Sequence, residues 1–449
     1  MIQTIRPNRK SRLLTQTCWF TALLNAAFAN ALSTEAPANQ AAANVNAVPA
    51  AATAPTTPSN PLLSGNPGDL DDGRLSFNPL QYGPMDIHLR VHGGVLYDDN
   101  IFTRDSNKKS DVIFSVAPTV LIGMGDYRER QANLVELQYT PSFVWYTDNS
   151  DLSTVNHAVS AEGQLKQGPW QLNLSQGYLR LFDTSVDAGT YIGRDVFTTQ
   201  LSGQYEISPK TSLEVNGRQY INCFGNQDAT SSSSANSYSE WVGEVFGNYQ
   251  FSPKLKGGIG VTAGWIDNKE SVDGMYQQVL ARAIYGLTEK LDVLASIGAQ
   301  IQEFDDYQGE SRDNRINGIF SLGITYRPVE KTLLGFGAYR RDNSSISLFN
   351  EAYTATGFEL NLRQSLTDRI TFGLGGGFTY SDYYSTIKDA GSGRSDNNWR
   401  VQVGLDFQLM ENLTASVFYQ YRQDDSSGST SSSYSFQNNQ VGLNVSYRF

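Results

Sequence analysis

The sequence is short of the residues on which most catalytic and metal chemistry depends. Its 449 residues include 2 Cys and 3 His. Cys18 and Cys223 cannot build a disulfide framework or a cysteine-held zinc site. His88 and His92 stand four apart on one expected strand face, where they could act as a metal pair or as a base with its orienting partner. No Gly-x-Ser-x-Gly elbow flanks them and no His-Glu-x-x-His occurs, so the plainer reading is two polar residues of an inner wall. His157 falls on the opposite parity. Charge is scarce as well: 18% of residues are Asp, Glu, Lys or Arg, against about 25% in soluble globular chains. Cations are in deficit, 34 Lys+Arg to 45 Asp+Glu, which argues against a general nucleic-acid binder. Beyond the amino-terminal segment no run is apolar and long enough for a transmembrane helix.

What the chain does have is 24 Tyr, 22 Phe and 40 Gly, spread along its length rather than clustered, which argues against disorder. The first residues follow a different plan. Arg6, Arg9, Lys10 and Arg12 precede an apolar run from Leu13 to Ala29, followed by small-x-small sites at Ala27-Phe28-Ala29 and Ala29-Asn30-Ala31. That order is a secretory signal over residues 1–31. Its removal takes four cations and leaves Cys223 as the only cysteine. Residues 32–84 are rich in Ala, Asn and Pro without any period, and Pro37, Pro49, Pro55, Pro58 and Pro61 break helices; they read as a disordered tether in the exported compartment.

From Met85 to Phe449 apolar and polar residues alternate. In Trp399, Val401, Val403, Leu405 and Phe407 the apolar members are separated by Arg400, Gln402, Gly404 and Asp406. Successive side chains of a strand point to opposite faces, so each such segment has one apolar and one polar face. The connections alternate too. Short turns such as Gly125-Asp126, Gly168-Pro169, Ser252-Pro253-Lys254 and Glu411-Asn412 recur about every 40 residues, with longer loops rich in Asp, Ser, Asn and Gly between them. Eight turns and nine loops require eighteen strands, with sixteen as the alternative, and place both ends on the turn side. This predicts an all-β fold: a transmembrane, antiparallel, up-and-down β-barrel over 85–449, with short periplasmic turns and long external loops. A propeller also repeats at this length, but its blades hold four short strands rather than two long ones. Trp145, Tyr146, Trp170, Trp241, Tyr249, Phe251, Trp265, Tyr285, Tyr326, Tyr380, Trp399, Tyr421 and Tyr447 fall near strand ends, where barrels carry aromatic girdles.

A signal segment, a hairpin array and a last strand ending Tyr447-Arg448-Phe449 resemble outer-membrane β-barrel proteins of Gram-negative bacteria. The resemblance implies that Phe449 is part of the signal read by the barrel-assembly machinery. Tyr97-Asp98-Asp99-Asn100-Ile101-Phe102, followed by Ser110-Asp111-Val112-Ile113, is further similar to the opening of the β-barrel porin type 2 family. Members often accompany exopolysaccharide genes, which implies a pore or exporter without naming its solute.

Strand parity selects the residues expected to line such a pore. The cations are Arg90, Arg218, Lys256, Arg282, Arg363, Arg400, Arg422 and Arg448; the anions are Glu136, Glu162, Glu214, Glu240, Glu244, Asp292, Glu359 and Asp406. Neither sign is in excess, so strong ion selectivity is not expected. The accompanying Gln and Asn residues both donate and accept hydrogen bonds, which suits neutral hydroxylated solutes such as saccharides. The alternative is that these charges pair across strands and brace the wall. Asp98, Asp99, Asn100, Asp105 and Asp111 offer clustered oxygens that could hold Ca²⁺, although the spacing is not that of an EF-hand; a solvated acidic loop is the alternative.

The function expected is an outer-membrane pore for passive diffusion or export of hydrophilic solutes, with no cofactor. Its partners would be outer-membrane lipid and lipopolysaccharide, the assembly machinery, a hydrophilic solute and further copies in a homo-oligomer. A surface barrel acting through its loops, and a barrel enzyme using His88 or His92, are the other readings. The signal makes a direct prediction. Amino-terminal sequencing of exported protein should begin at Asn30 or Leu32; a mature chain starting at Met1 would remove the signal reading.

Overall fold

The computed structural model describes residues 79–185, 190–224, 237–269, 271–306, 312, 314–344, 351–387, 393–428 and 435–449. The signal segment and residues 32–78 of the tether lie outside them. The first half of the chain forms β1 (Leu80–Tyr82), β2 (Met85–Asp98), β3 (Asp111–Gly125), β4 (Leu134–Tyr146), β5 (Thr154–Gln167), β6 (Trp170–Ser185), β7 (Thr190–Ser208), β8 (Thr211–Phe224) and β9 (Tyr238–Ser252). The second half forms β10 (Leu255–Asn268), β11 (Gly274–Thr288), β12 (Leu291–Phe304), β13 (Arg315–Tyr326) and β14 (Thr332–Ser344). It ends with β15 (Glu351–Ser365), β16 (Ile370–Ser385), β17 (Ser395–Met410), β18 (Leu413–Ser427) and β19 (Phe436–Arg448).

All nineteen belong to one antiparallel sheet. Strands β2 to β19 each pair with their chain neighbours, and β19 pairs back with β2, which closes a ring of eighteen. A strand crossing hydrocarbon must satisfy every backbone polar group within the protein, and closure is how a sheet does so. The closing ladder runs from Gln440↔Asp98 to Arg448↔Arg90. It stops short of the first residues of β2, whose free edge is filled by β1 through Leu80↔Ile87 and Tyr82↔Met85. The two-residue turn between β1 and β2 uses Gly83 at φ +61°, a conformation glycine adopts without steric cost.

Alternation then sorts the side chains. On β2, Val95 and Tyr97 are exposed while Leu96 and Asp98 are buried, so even-numbered residues of this strand face inward. The outer face carries exposed Val, Leu, Ile, Phe, Tyr and Trp around the ring. A surface of this kind is stable in a bilayer rather than in water. Its aromatics form two girdles. Trp170, Tyr249, Phe251, Tyr285, Tyr326 and Tyr447 lie near the turn end, and Trp145, Trp241, Trp265, Tyr380 and Trp399 near the loop end. Tyr146 does not join them: it faces inward and packs against Leu96, Ile113, Val144 and Phe418.

The connections depart from expectation in two places. The Gly125-Asp126 turn is not tight; residues 126–133 form a longer turn that folds under the inner face. The first loop is not simply solvated either, since Asn100, Ile101 and Thr103 are buried at 0%, 7% and 2% exposure. Ile101 enters the inward cluster of Leu96, Ile113, Val144 and Phe418.

That loop also fastens the closing seam. Asp98 accepts hydrogen bonds from Asn438 Nδ2 at 2.5 Å, Gln440 Nε2 at 2.6 Å and the Asn100 amide at 2.8 Å. Asp99 accepts from the backbone and side-chain nitrogens of Asn439, both at 2.7 Å. Asn100 Nδ2 donates to the Gln437 carbonyl at 2.9 Å. The first and last strands are thus joined by side chains as well as by the ladder. Asp98→Ala leaves buried donors without an acceptor and should cost on the order of 3 kcal/mol, read as a lower urea midpoint of the vesicle-inserted barrel. Asp105→Ala, at an exposed position of the same loop, should leave the midpoint in place. Equal midpoints for the two variants would sink the seam assignment.

Candidate inner-wall site

The inner face at the turn end is built around the 126–133 turn. Tyr127 is 3% exposed and packs with Leu121 and Leu134. Its ring lies directly over Gly123, where a Cβ would come within 2.4 Å of it. Its hydroxyl donates to Asp86, and His88 Nε2 is 2.9 Å away. Burial, reinforced by the bond to Asp86, pushes this hydroxyl up to about 12, so it remains a donor throughout the physiological range. Arg130 of the same turn reaches back to Glu136 at 2.7 Å and pairs with Glu162. Two of the acids read from strand parity are therefore anchored by a turn residue. His88 serves as a partner to Tyr127, and His92 faces the same interior two repeats of the alternation away.

Farther along the wall an ion pair spans four strands, from β8 to β11. Arg282 of β11 bonds Glu214 of β8 at 2.6 Å and Asn248 of β9 at 2.9 Å. The arginine can lie flat because β10 presents glycines here. A Cβ on Gly260 would sit 2.6 Å from the Phe246 ring, and one on Gly258 would be 2.4 Å from Asn248 Oδ1. Phe246 thus rests on bare backbone, and the Arg282 guanidinium stacks 4.2 Å above its centroid. Glu244 accepts from Asn216 at 2.9 Å and Thr262 at 3.2 Å, and Glu240 from Tyr276 at 2.6 Å. On the far side, Arg400 and Glu359 approach to 3.5 Å across Gly377 of the intervening β16. Unlike the Arg282 pair, these two remain open, with side chains 32% and 45% exposed.

Alternation and pairing put every cation and anion selected from parity on the inner face: Arg90, Glu136, Glu214, Arg218, Glu240, Glu244, Arg282, Glu359, Arg363, Arg400, Asp406, Arg422 and Arg448 among them. The structure does not gather them into one cluster. Arg422 is held by Asn438 Oδ1 at 2.9 and 2.6 Å, and Arg448 donates to the Glu411 carbonyl at 2.9 Å. Phe449 lies outside, 53% exposed, with its ring 4.9 Å from that of Tyr447 and its amide bonded to Leu89. Of the five residues offered for Ca²⁺, Asp98, Asp99, Asn100 and Asp111 have other partners and Asp105 is exposed. Asp98 and Asp99 hold the seam, and Asp111 accepts from the amides of Thr147, Asp148 and Asn149. Among the described residues no group of His, Cys, Asp and Glu is placed to hold a metal.

The interior also contains residues that parity did not single out. Arg394 pairs with Asp396 at 2.7 Å and stacks 4.4 Å over Tyr383, whose ring is 4.9 Å from that of Tyr353. These groups sit at strand ends and loop edges, where alternation carries no weight. The eight-residue DYRERQAN segment was visible in the sequence, and its length and charge could have marked an inward-folded turn.

No family model matches the chain, and no curated protein does. The likeness to β-barrel porin type 2 therefore rests only on the residues that carry it. Solved structures do align. Pseudomonas aeruginosa OccK2 is 12% identical with a TM-score of 0.44, covering 81% of this chain and 98% of its own. Acinetobacter baumannii OccAB4 is 12% identical with a TM-score of 0.43, covering 83% and 100%. Pseudomonas aeruginosa OpdQ is 9% identical with a TM-score of 0.44, covering 82% and 99%.

The buried pair makes a quantitative prediction. Arg282→Met strands a carboxylate that is nine-tenths buried and should cost roughly 3–5 kcal/mol. Adding Glu214→Gln should recover much of the loss in the same urea titration. A double variant no more stable than Arg282→Met alone would show that the pair does not brace the wall.

Proposed function

We propose that the chain is an outer-membrane pore that passes hydrophilic solutes by diffusion. The observation that carries this reading is a closed ring of eighteen strands with an apolar exterior and open charges, Arg400 and Glu359, on its inner face. Barrels of sixteen to eighteen strands are wide enough to leave an aqueous channel. The acidic and basic groups selected for the wall are equal in number, and two pairs of them, Arg282–Glu214 and Arg400–Glu359, bind one another. Such a wall favours neutral hydroxylated solutes, saccharides among them, over ions of one sign.

In this reading the amino-terminal segment directs export and the apolar belt meets lipid and lipopolysaccharide. The exposed terminal Phe449 is the group offered to the assembly machinery, and further copies in a homo-oligomer would pack on the outer face. Purified protein in a planar bilayer should give discrete conductance steps, with a reversal potential near zero under a KCl gradient. Swelling of protein-loaded liposomes in disaccharide would report solute passage. An ion-tight, sugar-tight barrel would overturn the pore; a large reversal potential would overturn the neutral wall.

A further inference from the structure

Among the described residues the β13–β14 ladder ends early on its loop side. Strands β13 and β14 pair only from Phe320↔Arg340 to Tyr326↔Leu334. By contrast, β14–β15 runs on to Ser344↔Ala352 and β15–β16 to Glu351↔Ser385. Above Arg340 the free edge of β14 has left β13. Side chains show where it went. Asp342 belongs by alternation to the outer face of β14, yet it accepts from Asn317 Nδ2 at 2.9 and 2.8 Å and from Gln300 Nε2 at 3.3 Å. Both partners belong to the inner faces of β13 and β12. Tyr384, on the outer face of β16, reaches Gln302 at 3.5 Å and lies under the Arg315 guanidinium at 3.9 Å. Thr354 and Ala352, on the same face, are each 1% exposed. The upper ends of β14 to β16 are therefore tucked inside the wall, outer face against the inner face of β12 and β13. Their other face carries Tyr353, 1% exposed and packed with Tyr383 and Tyr339.

Three features make this a separate unit. It keeps its own ladders on β15 and β16 and is attached through β16–β17, which pairs up to Asp382↔Ser395. Its base crosses glycines on all three strands: Gly337, Gly357, and Gly375 to Gly377. Glycine inside strands marks a sharp bend. Finally, the free edge is held by side chains in place of a ladder, and Asn343 Nδ2 is left buried without a partner. Continuing the existing register would put Asn343 opposite Asn317 and Asp342 opposite Gly318. That second arrangement completes the ladder, gives Asn343 an amide to bond and restores a smooth wall.

We propose that the upper ends of β14 to β16 form a tongue with two positions, folded into the lumen as seen here or zipped onto β13, and that this motion opens and closes the pore. The gating half of the proposal rests on the pore reading; the hinge half does not. Asp342 is the catch, because its carboxylate has bonds in the folded-in position that it loses when it faces Gly318.

Engineered disulfides separate the two positions. In a Cys223→Ser background, Asn317→Cys with Asp342→Cys should trap the tongue inside. Asn317→Cys with Asn343→Cys should trap it against the wall. Formation of each bridge, read by mass spectrometry of folded, heat-modifiable barrel, reports position without reference to transport. Conductance of the second bridged variant should exceed that of the first several-fold, and reduction should abolish the difference. The milder Asp342→Asn, which keeps the shape, should raise open occupancy roughly tenfold through loss of charge-assisted hydrogen bonds. Failure of the Asn343 bridge in folded protein would overturn the hinge. Both bridges forming with equal, non-zero conductance would overturn the gate. Both forming with no conductance in any state would overturn the pore and leave the hinge standing.

Discussion

Everything in this molecule depends on the pairing of its last strand with its first. A sheet with an open edge cannot lie in hydrocarbon, because each unpaired amide or carbonyl there costs several kcal/mol. The β19–β2 ladder removes that edge, and β1 covers the few residues of β2 that β19 is too short to reach. The seam joins residues about 340 positions apart, so its formation costs more loop entropy than any hairpin in the ring. The carboxylates of Asp98 and Asp99 and the amide of Asn100 add side-chain bonds at this one place. The Tyr-Asp-Asp-Asn-Ile-Phe phrase thereby acquires a mechanical role: its polar members clamp the seam and Ile101 fills the interior behind it.

A second constraint acts inside the ring. Lumen side chains cannot all point at the axis, and long ones lie down along the wall. They do so where the next strand offers glycine. Arg282 reaches Glu214 across Gly258 and Gly260, and Arg400 meets Glu359 across Gly377. The abundance of glycine is thus tied to the charge pattern. Where glycines align across β14, β15 and β16, the same absence of side chains lets the sheet itself bend inward.

The strand architecture is legible in the order of residues. Alternation such as Trp399 to Phe407 identifies strands and their faces, and the turn and loop rhythm counts them. The inner-face residues follow from parity because a strand repeats every two residues. Their partners do not follow. Nothing local says that Arg130 reaches Glu162, or that Asp98 is consumed by Asn438 rather than offered to a cation. Tyr146 shows the limit at a strand end, where adjacent Trp145 and Tyr146 are equally aromatic and only one can face lipid.

The division has a physical origin. Period, strand length, turn chemistry and the even strand count are properties of neighbours in the chain, and they can be read from the residues alone. So can the apolar character of the outer face and the mixed character of the inner one. Which connections fold inward, which charges are neutralised, and that β14 leaves β13 above Arg340 emerge only once the strands are assembled. Those outcomes turn on contacts between distant strands, where a few side-chain hydrogen bonds compete with a few ladder bonds of similar strength. No local pattern settles a competition that close.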